Sequence, residues 1–242
     1  METFPKLITP GFFGNHAAAD VRRMEFDNKN SQILVTHTPV SLCFIGDSVM
    51  QNWELDLYFQ GYGLMVNRGI EGDIAEHLLK RFEADVLQLH PRLCIVMIGL
   101  NDTWSLNAAA ENGKEALKQE EERIFHLLSQ SYRALLCKAK ANAQPILMES
   151  LLPVRSRTYR QMFLCRINRL LQTLCAEFQI PYLDYHTAFS EADGLTLRRE
   201  LSWDGVHPYG AGYQKMAELL RPYLDRFFAE MPKEENERLH LK

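Results

Sequence analysis

Five short apolar runs, each followed by a longer amphipathic stretch, constrain the fold of this chain more than any other feature. The runs are VSLCFIG (Val40 to Gly46), LMVN (Leu64 to Asn67), LCIVMIG (Leu93 to Gly99), PILMES (Pro145 to Ser150) and PYLDY (Pro181 to Tyr185). They are rich in β-formers and show little two-residue alternation, the pattern of strands covered on both faces in a parallel sheet. Between them, Ile74 to Leu89 sets Ile74, Leu78, Leu79, Phe82, Val86 and Leu89 at helical spacing, with Asp73 suited to the N-cap. Glu111 to Ala141, Tyr159 to Phe178 and Ala211 to Phe228 repeat that logic. Strand then helix, five times over, predicts an α/β sandwich with right-handed crossovers.

A chain of 242 residues fits one domain with a substantial core. The strand and helix rhythm places that domain at residues 40–230. Residues 1–39 stand outside it as an extension packed on the domain, with a short helix around Asp20 to Leu34. The charged tail, 231–242, is expected to fray. Lys and Arg number 27 against 31 Asp and Glu, a net charge of -4, and no basic stripe appears. Nucleic acid is therefore not an expected partner. No segment is apolar for long enough to span a bilayer. The opening METFPKLITPGFFGNH lacks an apolar core behind a basic start. The five cysteines, Cys43, Cys94, Cys137, Cys165 and Cys175, are scattered singly, with neither zinc nor redox pairs. These features together lead to the expectation of a cytoplasmic protein.

Open parallel sheets bind ligands at the carboxyl ends of their strands. Four polar clusters fall there or just before the last helix: Asp47-Ser48, Asn67-Arg68-Gly69, Gly99-Leu100-Asn101-Asp102 and Asp204-Gly205-Val206-His207. Ser48, at the start of a helix after a strand, is a candidate nucleophile that needs a base. His207 fits, because Asp204 three residues earlier in a turn-rich loop is placed to reach Nδ1 while Nε2 faces the serine. The backbone N-H of Ser48, the backbone N-H of Gly69 and the Asn101 side-chain amide are candidate donors to a developing oxyanion.

Each residue also has a plainer reading. Ser48 alone reads as a helix cap, and Asp47 reads as a cap or a loop hydrogen-bond acceptor. Asp102 reads as a turn residue. Asp184 and His186 form a rival acid and base pair at the last strand, with less freedom to approach Ser48. Trp53, Trp104 and Trp203 either pack in the core or wall a pocket suited to an apolar group or a sugar. Arg155 and Arg157 are either solvated charges or contacts to a polar substrate.

GDS at Gly46 to Ser48, the glycine of NRG at Gly69, GLND at Gly99 to Asp102 and DGVH at Asp204 to His207 resemble, in order, the four blocks of the SGNH or GDSL-type hydrolase family. The stretch from GDSVMQNW to VMIGLND is most similar to the branch that includes platelet-activating-factor acetylhydrolase catalytic subunits and bacterial acetylesterases. The resemblance implies a flavodoxin-like α/β/α fold of three layers around a five-stranded parallel sheet. It also implies a metal-independent esterase in which Ser48, Asp204 and His207 form a triad. Ser48, Gly69 and Asn101 would then make the oxyanion hole. A small-molecule ester is the implied partner and a homodimer is admitted, although no exposed stripe marks an interface. The absence of a long apolar lid favours a small acyl group, acetyl foremost, on a carbohydrate or similar polar alcohol over a long-chain lipase, thioesterase or lysophospholipase substrate. A non-catalytic scaffold on the same fold is the alternative. Val49 and Met50 follow the serine where many relatives carry a hydroxyl residue. Arg68 stands beside the glycine where an aromatic or small residue is common, which draws Arg68 into the candidate pocket with Trp53, Trp104, Arg155 and Trp203.

Overall fold

The computed structural model describes residues 6–14 and 17–231; the tail at 232–242, expected to fray, lies outside them. Helix α1 (Ala18–Thr36) precedes the sheet. Strand β1 (Leu42–Gly46) leads into the short helices α2 (Ser48–Gln51) and α3 (Leu55–Tyr58), then β2 (Met65–Gly69) and α4 (Ala75–Asp85). Strand β3 (Leu93–Met97) is followed by α5 (Ser105–Glu111) and the long α6 (Lys114–Ala141), then β4 (Ile146–Glu149) and α7 (Thr158–Phe178). Strand β5 (Tyr182–Leu183), α8 (His186–Phe189) and α9 (Gly210–Ala229) complete the chain.

The five strands form one parallel sheet in the order β2-β1-β3-β4-β5. Every residue of β1, β3 and β4 is buried, which is why those segments read as apolar runs, broken only by Glu149 at the end of β4. Helices α4, α6 and α7 pack side by side, while α9 packs on the α2 and α3 segment through Tyr213 stacked on Trp53 and Arg221 donating to the Tyr58 carbonyl at 2.8 Å. The layers are therefore α/β/α. From β1 the chain moves outward to β2 and returns across to β3, so the order reverses between β1 and β3. Ligands of open α/β sheets bind beyond the strand ends at such a reversal. Ser48 follows β1 there, and Asn101 follows β3.

Two local expectations change. Strand β2 continues through Asn67 and Arg68 to Gly69, which pairs with Gly46, so the loop begins only at Ile70. A polar Asn67 is accommodated in a strand because its amide donates to the carbonyls of Met50 at 2.7 Å and Trp53 at 3.1 Å. Asp73 does not cap α4. Its carboxylate binds Arg81 at 2.7 Å, and Asp102 takes over as acceptor of the Ala75 N-H at 3.2 Å. Helix α1 covers the segment expected near Asp20 to Leu34 and packs on α4. Among the described residues no helix is long and apolar enough to cross a membrane.

Candidate active site

Asp47 caps α2, its Oδ1 accepting the Val49 N-H at 3.0 Å. Ser48 therefore stands in the first turn, with a backbone N-H that has no acceptor within the helix. Its Oγ lies 2.9 Å from Nε2 of His207. Across the ring, Nδ1 lies 2.7 Å from Oδ2 of Asp204. The other carboxylate oxygen accepts the backbone N-H groups of Val206 and His207, both at 2.8 Å. One aspartate thus folds the loop and orients the imidazole. Desolvation pushes the Asp204 carboxyl up, but the His207 bond and the two backbone bonds outweigh it and hold the group well below the ordinary carboxylate range. It is charged, and a charged acceptor at Nδ1 keeps that nitrogen protonated and leaves Nε2 free to accept the serine proton.

Three further carboxyls lie behind the serine. Burial pushes Asp47 up to about 7 and Asp102 up to about 7. Asp73 is raised by burial, in opposition to its contact with Arg81. Arg81 is wholly buried. Besides Asp73 it binds Asp85 at 2.9 Å and donates to the carbonyls of Arg68 at 2.8 Å and Gly46 at 3.0 Å. It ties the ends of β1 and β2 together.

The donors around Ser48 differ in part from expectation. Asn101 Nδ2 donates to the Asp73 carbonyl at 3.0 Å, which leaves its second N-H for another acceptor. Gly69, by contrast, is committed, because its N-H donates to Asn67 Oδ1 at 2.8 Å. Its glycine identity serves packing instead, since a Cβ there would lie 2.1 Å from the Gln51 backbone nitrogen. The next glycine, Gly72, has φ +77° in a turn closed by the Asp73 N-H on the Ile70 carbonyl at 3.1 Å. Its own N-H has no acceptor among the described residues. The turn is held on one side by Gln51 Oε1, 2.7 Å from the Glu71 N-H, and on the other by Asn101. The sequence signal for it was glycine at the third position of IEGD, where a type II turn demands positive φ.

A model of the GDSL-like lipase/acylhydrolase family matches residues 44–215, a span that takes in Ser48, Asn101, Asp204 and His207. The chain belongs to this family. Membership places it among the carboxylic ester hydrolases. An acetylxylan esterase of Geobacillus stearothermophilus is 27% identical over 165 residues, covering 63% of this chain and 68% of the relative. The platelet-activating factor acetylhydrolase IB subunit alpha2 of Rattus norvegicus is 26% identical over 200 residues, 79% of each. A solved GDSL-like lipase from Bacteroides thetaiotaomicron shares the fold with a TM-score of 0.67 at 23% identity, covering 86% of this chain and 98% of that one.

In this GDSL-family protein the rival pair is separate from the serine. His186 is buried, with Nε2 at 3.2 Å from the Gly194 carbonyl and Nδ1 at 3.1 Å from the Asn168 amide. Asp184 binds the Thr187 N-H and hydroxyl. Three candidates for the pocket wall turn out to be structural. Trp53 is 2% exposed and packs among Phe44, Phe59 and Tyr213. Arg68 is buried, donating to Asn30 Oδ1 at 2.7 Å and to the Asn67 carbonyl at 3.0 Å. Arg155 donates to the carbonyls of Ser202 at 2.6 Å and Trp203 at 2.7 Å, bracing the loop that carries Asp204. Such arginines satisfy backbone oxygens that no local element can reach. Trp203 is 83% exposed and stacks on Tyr209, and Trp104 is half-exposed. Arg157 lines a hollow of about 540 Å³ between α5 and α7 with Asn107 and Tyr159. A groove of about 440 Å³ between α1 and β2 includes neither Ser48 nor His207 among its walls.

Proposed function

We propose that the protein is a serine esterase that removes a small acyl group, acetyl foremost, from a carbohydrate or a similar polar alcohol. The observation that carries the reading is the unbroken line from Ser48 Oγ through the His207 ring to the Asp204 carboxylate. Ser48 Oγ attacks the acyl carbonyl as its proton passes to His207 Nε2. The oxyanion of the tetrahedral intermediate is met by the N-H groups of Ser48 and Gly72 and the second N-H of Asn101. Collapse breaks the ester C-O bond, and the alcohol leaves with the proton from Nε2. Water, deprotonated by the same nitrogen, then attacks the acyl-serine and releases the acid with Ser48 restored.

Two relatives, an acetylxylan esterase and an acetylhydrolase, support acetyl as the acyl group. The exposed indole of Trp203 beside Asp204 is a flat platform of the kind on which a sugar ring stacks. Hydrolysis of p-nitrophenyl acetate, butyrate and octanoate, with fluorophosphonate labelling, tests the reading. Wild type is expected to be labelled and to favour acetate, and S48A to lose both labelling and turnover. Turnover by S48A at the wild-type rate refutes the nucleophile, and a preference for octanoate refutes the small acyl group.

A further inference from the structure

Asn101 is the one side-chain donor among the three oxyanion donors, and an amide on a rotatable bond needs outside support to hold its plane. Two hydrogen bonds supply it. Trp104 Nε1 donates to Asn101 Oδ1 at 2.9 Å. An indole N-H is only a donor, so this contact fixes which end of the amide is oxygen. On the other side Nδ2 donates to the Asp73 carbonyl at 3.0 Å. The two contacts define the amide plane and hence the direction of the remaining N-H.

The indole is itself fixed from behind. The Arg160 guanidinium lies 4.0 Å from the centre of the Trp104 ring. It is held by Nε donating to Thr103 Oγ1 at 2.9 Å and Nη2 to the Leu100 carbonyl at 3.4 Å. Arg160 is 2% exposed, and among the described residues none of its hydrogen bonds goes to a carboxylate. A buried cation over the face of an indole is attracted by the ring quadrupole and draws density from the ring, which strengthens the N-H as a donor. Arg160, Trp104 and Asn101 thus form a short relay from α7 to the substrate.

We propose that Trp104 is a positioning residue for the esterase reaction, its indole N-H, backed by Arg160, locking the Asn101 amide in the plane that presents the second N-H to the oxyanion. The proposal rests on the serine esterase reading above. It contrasts with a role for the half-exposed indole as a surface on which substrate stacks.

W104F keeps an aromatic ring on the Arg160 side and removes the N-H together with part of the bicyclic ring. In the wild-type background it is expected to lower kcat for p-nitrophenyl acetate about fivefold, the worth of one hydrogen bond, with KM held within about twofold. In the N101A background W104F is expected to change nothing, because it acts through the amide that is gone. An equal loss in both backgrounds, a loss confined to KM, or no loss in wild type overturns the proposal. If N101A falls to the level of S48A, the split between kcat and KM in the single variant decides. Turnover by S48A at the wild-type rate would instead remove Ser48 as the nucleophile on which the serine esterase reading rests, so the two failures are distinguishable.

Discussion

Replacing Asp204 by asparagine isolates the electrostatic part of the proposed triad, because the substitution keeps the oxygen that folds the loop. Oδ1 accepts the N-H groups of Val206 and His207 at 2.8 Å, and asparagine retains that acceptor. Oδ2, at 2.7 Å from His207 Nδ1, becomes an NH2 group. Two donors then face each other unless His207 moves its proton to Nε2. That tautomer presents an N-H to Ser48 Oγ where the proposed mechanism needs an acceptor, so the serine would lose its base.

The magnitude has a floor and a ceiling. Loss of one charge-assisted hydrogen bond is worth about 1.5–3 kcal/mol, which is about 10- to 150-fold in rate. The same exchange in the serine protease template costs about 10⁴ in kcat. The Asp204 side chain is 44% exposed, so water offers the imidazole a partial substitute, and the expected loss lies between these limits, at about 10³. The assay is kcat for p-nitrophenyl acetate at pH 7, with thermal unfolding measured in parallel. D204N is expected to unfold within a few degrees of wild type. A D204N enzyme that folds like wild type and retains more than a tenth of its kcat refutes the assignment of Asp204 as the group that sets the His207 tautomer.

A methyl group at Gly69 tests whether that residue serves packing. In G69A the new Cβ meets the Gln51 nitrogen at 2.1 Å and the Met50 carbonyl carbon at 2.6 Å. Because the obstacle is backbone and not a flexible side chain, a loss of about 1–3 kcal/mol in unfolding free energy is expected, with at least a tenfold fall in kcat as α2 moves; wild-type values for both refute the packing argument. Glu149 supplies a pH test of stability. Burial pushes its carboxyl up to about 8, from an ordinary value of 4.5. The folded state therefore binds the proton more tightly than the unfolded chain, and the stability present below pH 4.5 is lost as pH rises through 8. E149Q cannot titrate and keeps an oxygen for the Tyr185 hydroxyl, which lies at 2.8 Å. Urea unfolding of E149Q is expected to give a flatter profile than wild type between pH 5 and 8.5. The difference should reach a few kcal/mol, since each tenfold gain in proton affinity is worth about 1.4 kcal/mol; parallel profiles refute the linkage.

The sheet was legible because β1, β3 and β4 are buried on both faces, so their positions are apolar except for Glu149 at the end of β4, and the strands stood out as runs. The hydrogen-bonded line of Ser48, His207 and Asp204 was legible because Asp204 and His207 are three residues apart, and because a serine after β1 falls at a strand end where loops gather. Other features depend on partners distant in sequence. The apolar run ends at Asn67, yet β2 continues through Arg68 and Gly69, with Asn67 held in the strand by the carbonyls of Met50 and Trp53. Asp73 looked like a cap, but Arg81 claims it and Asp102, 27 residues away, caps α4 instead. Arg68 and Arg155 looked free to meet a substrate, whereas each satisfies oxygens brought near it by tertiary folding. Local rules describe neighbours a turn apart, and these bonds span tens of residues.

The same distant contacts explain how a site assembled from separate loops keeps its geometry. Ser48 follows β1 and the Gly72 turn follows β2, and Arg81 donates to the Gly46 and Arg68 carbonyls near the ends of both strands. Its charge is balanced by Asp73 and Asp85, and Asp85 in turn binds Arg23 of α1. Arg22, one residue earlier, donates to the Gly69 carbonyl at 3.0 Å. Helix α1 lies outside the family match, which begins at residue 44, yet its charges reach the strand end from which the Gly72 turn departs. Removing one member of a buried ion pair typically costs about 3–5 kcal/mol, because the partner charge is left unpaired. The chain from Arg23 through Asp85 to Arg81 therefore makes displacement of any one loop costly to the others. That coupling fixes the ends of β1 and β2, from which Ser48 and the Gly72 turn depart.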